Sequence, residues 1–204
     1  NELRQLLKSL NEQYIFISGS SSGARTSLMY ALHFPEDLIG MIIIRVTGGE
    51  FAANRLPKNY YEVFIDTAKS GGMEAACKTN RFVEYIKTNP TIEQQLLDMD
   101  VNEFIKIQTN LLGKFLDGAN YPVMGITESE LDSIKVPSLV IPGNDNAHDS
   151  VSGIEAYNML GNSELHKLPI DDVDVDLISW EDWEPYEDEI ALVMSNFINR
   201  VMDK

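Results

Sequence analysis

The chain has 204 residues, of which 32 are acidic and 16 basic, for a formal net charge of −16. Hydrophobic residues make up 44% and charged residues 24%, which is ordinary globular usage and excludes a disordered chain. The acidic excess argues against nucleic acid and anionic membrane surfaces as partners, because both recruit clustered Lys and Arg.

Leu3, Leu6, Leu7 and Leu10 recur at i, i+3, i+4 and i+7 and predict an amphipathic helix closing near Asn11. Tyr14-Ile15-Phe16-Ile17 is a short, continuously apolar run and reads as a strand buried on both faces. Ser18 to Gly23 is a turn by composition, and residues 24–33 form a helix stopped by Pro35. Gly40 to Val46 repeats the buried-strand pattern and is closed by Thr47-Gly48-Gly49. Strands alternating with helices imply a parallel sheet with right-handed crossovers.

From about residue 50 to 135 the periodicity is helical throughout, with no convincing strand. Tyr61, Phe64, Ile65 and Ala68 share one helical face, as do Phe82, Tyr85 and Ile86, and then Phe104, Ile105, Gln108, Leu111, Leu112 and Phe115. This length is too great for a loop and reads as a helical insertion. Val136 to Gly143 restores the buried strand, followed by a polar loop, Asn144 to Asp149. A helix over 151–160, a short strand from Glu164 to Pro169 and a final helix over 187–202 complete the chain. No apolar run is long enough to span a membrane. Cys77 is the single cysteine, and with no signal-peptide pattern it suits a reducing, cytoplasmic setting.

The sharpest motif is Gly19-Ser20-Ser21-Ser22-Gly23, which matches Gly-x-Ser-x-Gly between a buried strand and a helix. A serine displayed on such a turn has a strained backbone and needs small neighbours. The following helix N-terminus favours developing negative charge, and the Ser22 N–H is a candidate oxyanion donor. An ordinary Gly/Ser turn or a phosphate cradle has the same composition. The cradle lacks the Lys of a P-loop and the third Gly of a dinucleotide fingerprint, and no motif calls for a cofactor.

Asp172, Asp174 and Asp176 have the alternate spacing of a calcium loop. Leu177 and Trp183 stand where that loop needs Gly and Glu, so the stretch reads as a solvated loop whose valines pack inward, and no metal site is expected. Trp180 and Trp183 read as anchors of the last segment. Arg25 and Arg45 are the residues positioned to offset the acidic field for an anionic substrate.

Tyr14 to Gly23, Ala24-Arg25-Thr26-Ser27-Leu28, Ala31-Leu32-His33-Phe34-Pro35 and Val136 to Gly143, in that order, resemble the C-terminal two-thirds of an α/β-hydrolase. The resemblance implies an α/β fold, with a parallel sheet flanked by helices and an all-helical cap insertion. The core is then 1–49 with 136–204, and the cap is 50–135. It also implies further strands upstream of residue 1, carrying a second oxyanion donor. Without them Tyr14 to Ile17 is an exposed apolar edge, which makes a homo-oligomer an alternative cover.

By the same resemblance Ser21 is the nucleophile. The family's acid falls at Asn146, with Asp145 one residue earlier and Asp149 three later; Asp145 is the candidate acid. The family's histidine belongs near 170–178, where the chain reads Ile170 to Ile178 without one. Of the three histidines, His33 lies in a helix and His166 in a strand, and both read as structural. His148 follows a strand's C-terminal end, where α/β sheets place their sites, and is the candidate base. Two functions compete. One is a serine hydrolase acting on a small, partly apolar ester-like or carbon–carbon substrate. The other is a non-catalytic binding protein on the same fold. They differ in whether a histidine reaches Ser21 Oγ.

Overall fold

In the computed structural model, which describes residues 2–203, the apolar runs form the strands of one sheet. Asn1 and Lys204, the outer limits of the expected core, lie outside the described residues. In chain order the first elements are α1 (Glu2–Ser9), β1 (Ile15–Ser20), α2 (Ser22–His33), β2 (Leu38–Ile44) and α3 (Gly49–Arg55). Then come α4 (Val63–Ala76), α5 (Asn80–Thr88), α6 (Thr91–Leu97) and α7 (Val101–Asp117). The chain ends with α8 (Glu128–Ser133), β3 (Ser138–Ile141), α9 (Ser150–Met159), β4 (Ser163–Leu165) and α10 (Glu187–Met202).

The four strands are all parallel, in the order β1-β2-β3-β4. Ile17 lies opposite Met41, and Ile43 opposite Val140. Both faces are covered, which is why β2 and β3 read as unbroken apolar runs. Met41, Ile43 and Val140 pack with Leu28 and Ala31 of α2 and Ala156 of α9. On the other face Ile42, Leu139 and Ile141 pack with Phe197 of α10 and with Trp183.

The chain divides into two compact units, Asn1–Ala52 with Gly118–Lys204, and Ala53–Asp117. The expected insertion was longer, from 50 to 135. Residues 118–135 belong with the sheet because Val123, Ile126, Leu131 and Ile134 are buried in the same core as α2 and α9. The Ala53–Asp117 unit is helical and has its own core of Phe64, Ala68, Met73, Leu96 and Phe104, with Phe82 and Ile86 against it. Gly71-Gly72 kinks α4, where Gly72 takes φ +67. Leu111, expected on an apolar face of α7, is exposed.

The first helix also differs from its pattern. Leu3 and Leu7 pack on the sheet core, whereas Leu6 and Leu10 are exposed. Among the described residues no helix is long and apolar enough to cross a membrane.

Candidate active site

Three strand ends meet at the carboxyl edge of the sheet. Ser21 is the first residue past β1, and its N–H donates to Ile44 O at 3.0 Å. Arg45 is the first past β2, and its N–H donates to Ile141 O, the last residue of β3, at 2.9 Å. Each extends the ladder by one bond and then turns sharply. Ser21 has φ 57 and ψ −119, and Arg45 has φ 55. Such values in residues with a Cβ cost on the order of 1–3 kcal/mol each and persist only where surrounding structure enforces them.

The Ser21 turn explains one glycine of its pentapeptide and not the other. A Cβ on Gly19 would run into the backbone of Gly23 and Ala24, so only glycine fits there. A Cβ on Gly23 would meet nothing within 4 Å, contrary to the expectation that both flanking positions must be small. Ser22 opens α2, which puts its N–H at the positive end of that helix. Ser21 precedes the helix without capping it, and its Oγ lies 2.8 Å from His148 Nε2.

His148 comes from the loop after β3, as does Asp145. The Asp145 carboxylate organises that loop. Its Oδ1 accepts from Ala147 N at 2.9 Å, His148 N at 2.8 Å and His148 Nδ1 at 2.9 Å. Its Oδ2 accepts from Ile178 N at 3.0 Å and forms an ion pair with Arg45 Nη2. Burial pushes the Asp145 carboxyl up, but the His148 hydrogen bond, the Ile178 N–H and the charges of His148 and Arg45 outweigh it. The net result is a fall from 3.8 to about 2. With Asp145 ionised, Nδ1 carries the hydrogen and donates to it, which leaves Nε2 to accept from the Ser21 hydroxyl. Gly143 permits the close turn, because a Cβ there would strike the carbonyl and Cβ of His148.

The remaining candidates lie elsewhere. Asn146 donates through Nδ2 to Asp174 Oδ1 at 2.9 Å and does not contact His148. Asp149 caps α9, accepting from Ser152 N at 2.9 Å and Ser152 Oγ at 2.6 Å. His166 pairs with Glu189 at 2.8 Å, and His33 ends α2 against Phe34. A cavity of about 440 Å³ shares Asp149 and is lined also by Glu50, Tyr121, Ser152, Glu155 and Asp172.

The acidic segment from 171 supports the loop after β3. Val173 N donates to Asn144 O at 2.8 Å, and Asn146 N to Val175 O at 2.8 Å. Asp172 accepts from Ser150 N and Oγ. Val173 and Val175 are exposed, which corrects the expectation that they pack inward; the segment docks through its backbone and aspartates. Trp183 is the buried anchor, and its Nε1 donates to Asn144 Oδ1 at 3.0 Å, while Trp180 is exposed.

Arg45 was expected to offset the field for a substrate. Instead it is 3% exposed and paired with Asp145. A sequence signal for this exists. An Arg at the end of Met41-Ile42-Ile43-Ile44 is a charge in a buried run, and such a charge needs a carboxylate. Ile178 N–H carries no such signal, because any residue has that group.

No family model matches the chain, and no curated protein matches it. Many solved structures do. A carboxylesterase structure from the ammonia-oxidizing thaumarchaeon Nitrososphaera gargenis is 20% identical with a TM-score of 0.57, covering 99% of this chain and 71% of that one. The enol-lactonase from Burkholderia xenovorans LB400 is 16% identical with a TM-score of 0.55, covering 97% and 70%. MenH from S. aureus is 20% identical with a TM-score of 0.55, covering 98% and 74%. Across the matched structures named here and one further α/β-hydrolase enzyme, the chain spans between 61% and 74% of their lengths. A parallel sheet flanked by helices, matched over nearly all of its length by these structures, gives this chain the α/β-hydrolase fold.

Proposed function

We propose that the protein is a serine hydrolase in which Ser21 is the nucleophile, His148 the general base and Asp145 the residue that orients it. The observation that carries this reading is the chain of contacts from Asp145 Oδ1 through His148 to Ser21 Oγ, at 2.9 and 2.8 Å. A nucleophile and base at hydrogen-bond distance, with the base held by a third group, is the arrangement acyl transfer needs. It favours catalysis over the binding-only alternative, which rested on the absence of a histidine from 170–178 and on Asn146 at the family's acid position.

In the proposed reaction Ser21 Oγ attacks the substrate carbonyl carbon as its proton passes to His148 Nε2. Asp145 stabilises the imidazolium and keeps Nδ1 protonated. The carbonyl oxygen becomes an oxyanion, for which the Ser22 N–H is one donor. His148 then returns the proton to the leaving group, and the acyl-serine forms. Water, deprotonated by His148, attacks the acyl carbon, and as the acyl–oxygen bond breaks His148 returns that proton to Ser21 Oγ, releasing the carboxylic acid.

A small, partly apolar ester is the substrate class favoured. The similarity to a carboxylesterase and an enol-lactonase supports ester chemistry. A net charge of −16 disfavours an anionic substrate; of the two arginines expected to offset it, Arg45 is paired with Asp145 and Arg25 donates through Nε to Met124 O. The helical unit Ala53–Asp117 is the proposed cap. Fluorophosphonate labelling followed by intact mass tests this reading. One adduct, absent from Ser21→Ala, is expected. A folded wild-type protein that takes no adduct would exclude an activated serine and leave a binding protein.

A further inference from the structure

We infer that Arg45 is a positioning residue for this site, holding the Asp145–His148 loop in register with Ser21; the inference rests on the triad reading above. Asp145 and His148 lie three residues apart in one tight turn, so each orients the other but neither fixes the turn relative to the nucleophile. A turn that rocks as a body would keep its internal bonds and still carry His148 away from Ser21. Something outside the turn must hold it.

Arg45 is placed to do so. Its backbone N–H is bonded to Ile141 O, and its side chain reaches Asp145 Oδ2. The residue before it, Ile44, accepts the N–H of Ser21. The contacts therefore close a ring. It runs from the Ser21 backbone to Ile44, along the chain to Arg45, across to Asp145, on to His148 Nδ1, and from Nε2 back to Ser21 Oγ. Arg45 thus links the end of β2, to which the Ser21 backbone is bonded, with the loop that holds the base.

The guanidinium is itself fixed. Its carbon stands 5.4 Å from the Trp180 ring centroid and 5.2 Å from that of Trp183. Nη2 also lies 3.4 Å from Ile178 O. Its Nε is buried and makes no hydrogen bond among the described residues. A buried ion pair with an unmet donor and a left-handed backbone adds little net stability, because desolvation and strain offset the attraction. What it does supply is direction. With Oδ2 held by Arg45 and the Ile178 N–H, the carboxylate cannot rotate, and Oδ1 stays aimed at Nδ1.

The test compares Arg45→Met and Arg45→Lys with the wild type for turnover of p-nitrophenyl acetate, fluorophosphonate labelling, thermal unfolding, and the downfield proton resonance of His148 Nδ1–H. Misplacement of the base by about 1 Å predicts a kcat loss of about 100-fold in Arg45→Met with little change in KM. The Nδ1–H resonance is expected to broaden or shift, and Arg45→Lys to recover part of both, since it restores the charge without the planar fork. Guanidinium ion added to Arg45→Met at non-denaturing concentration is expected to raise kcat. A folded Arg45→Met with wild-type kcat and resonance would overturn the inference and leave the triad standing. If Arg45→Met does not fold, Arg45→Lys with fully wild-type kcat, KM and resonance does the same. A wild-type protein without adduct or turnover fails the triad reading first and takes the inference with it.

Discussion

Asp145 Oδ1 accepts both the backbone N–H and the ring Nδ1–H of His148, its neighbour three residues on. The acid and base candidates are thus one local unit, delivered by the loop after β3. The nucleophile candidate is 127 residues away in sequence and meets them only through the sheet.

His148→Ala is expected to abolish fluorophosphonate labelling within the time that saturates the wild type, because it removes the imidazole that stands at hydrogen-bond distance from Ser21 Oγ. His166→Ala, which loses only a partly exposed pair with Glu189, is expected to label normally and lose less than about 1 kcal/mol of stability. Labelling rates and chemical denaturation of the two variants check this.

Asp145→Asn is expected to lower kcat by about 10⁴-fold, since an amide stabilises neither the correct tautomer nor the imidazolium. It also removes an acceptor from a loop whose N–H groups converge on that carboxylate. Thermal unfolding should accompany the kinetics, so that loss of the loop is separated from loss of charge.

The depressed Asp145 carboxyl makes folding pH-dependent. Its value is about 2 in the folded protein against an ordinary 3.8, so the unfolded chain binds the proton more tightly. The contribution, on the order of 2 kcal/mol, is complete above about pH 4 and is lost as pH falls toward 2. Urea midpoints measured from pH 5 to 2 are expected to fall more steeply for the wild type than for Asp145→Asn.

Asn146→Asp is expected not to rescue Asp145→Asn, although Asn146 stands where related folds carry their acid. Asn146 donates to Asp174, and a carboxylate there would face another carboxylate. The single variant should lose about 1 kcal/mol of stability while keeping most of its activity. Recovery of kcat in the double variant would show that the acid role can shift by one residue.

Gly143→Ala adds one methyl group against His148. The carbonyl and Cβ it meets cannot yield without moving the loop. A kcat loss of about 100-fold is expected, larger than the loss in KM, as for any small displacement of the base. Ala substitution at Gly23, where space is open, serves as the control with near wild-type activity.

Local chemistry determined much of this protein from sequence. Runs such as Met41 to Ile44 and Leu139 to Ile141 are apolar because both faces of a parallel strand are covered, and that need is written residue by residue. The turn at Ser21 was legible for the same reason, since Gly19 answers a clash only a few residues away. The extent of the helical unit was not, because Val123 and Ile126 have the same hydropathy whichever core they enter. Nor could sequence decide that a loop expected to carry a histidine would supply the Ile178 N–H to Asp145 instead, or that Arg45 would turn from β2 onto that carboxylate. Which loops meet is set by strand order and register, over separations of 100 residues or more, and periodicity reports only the faces that are buried.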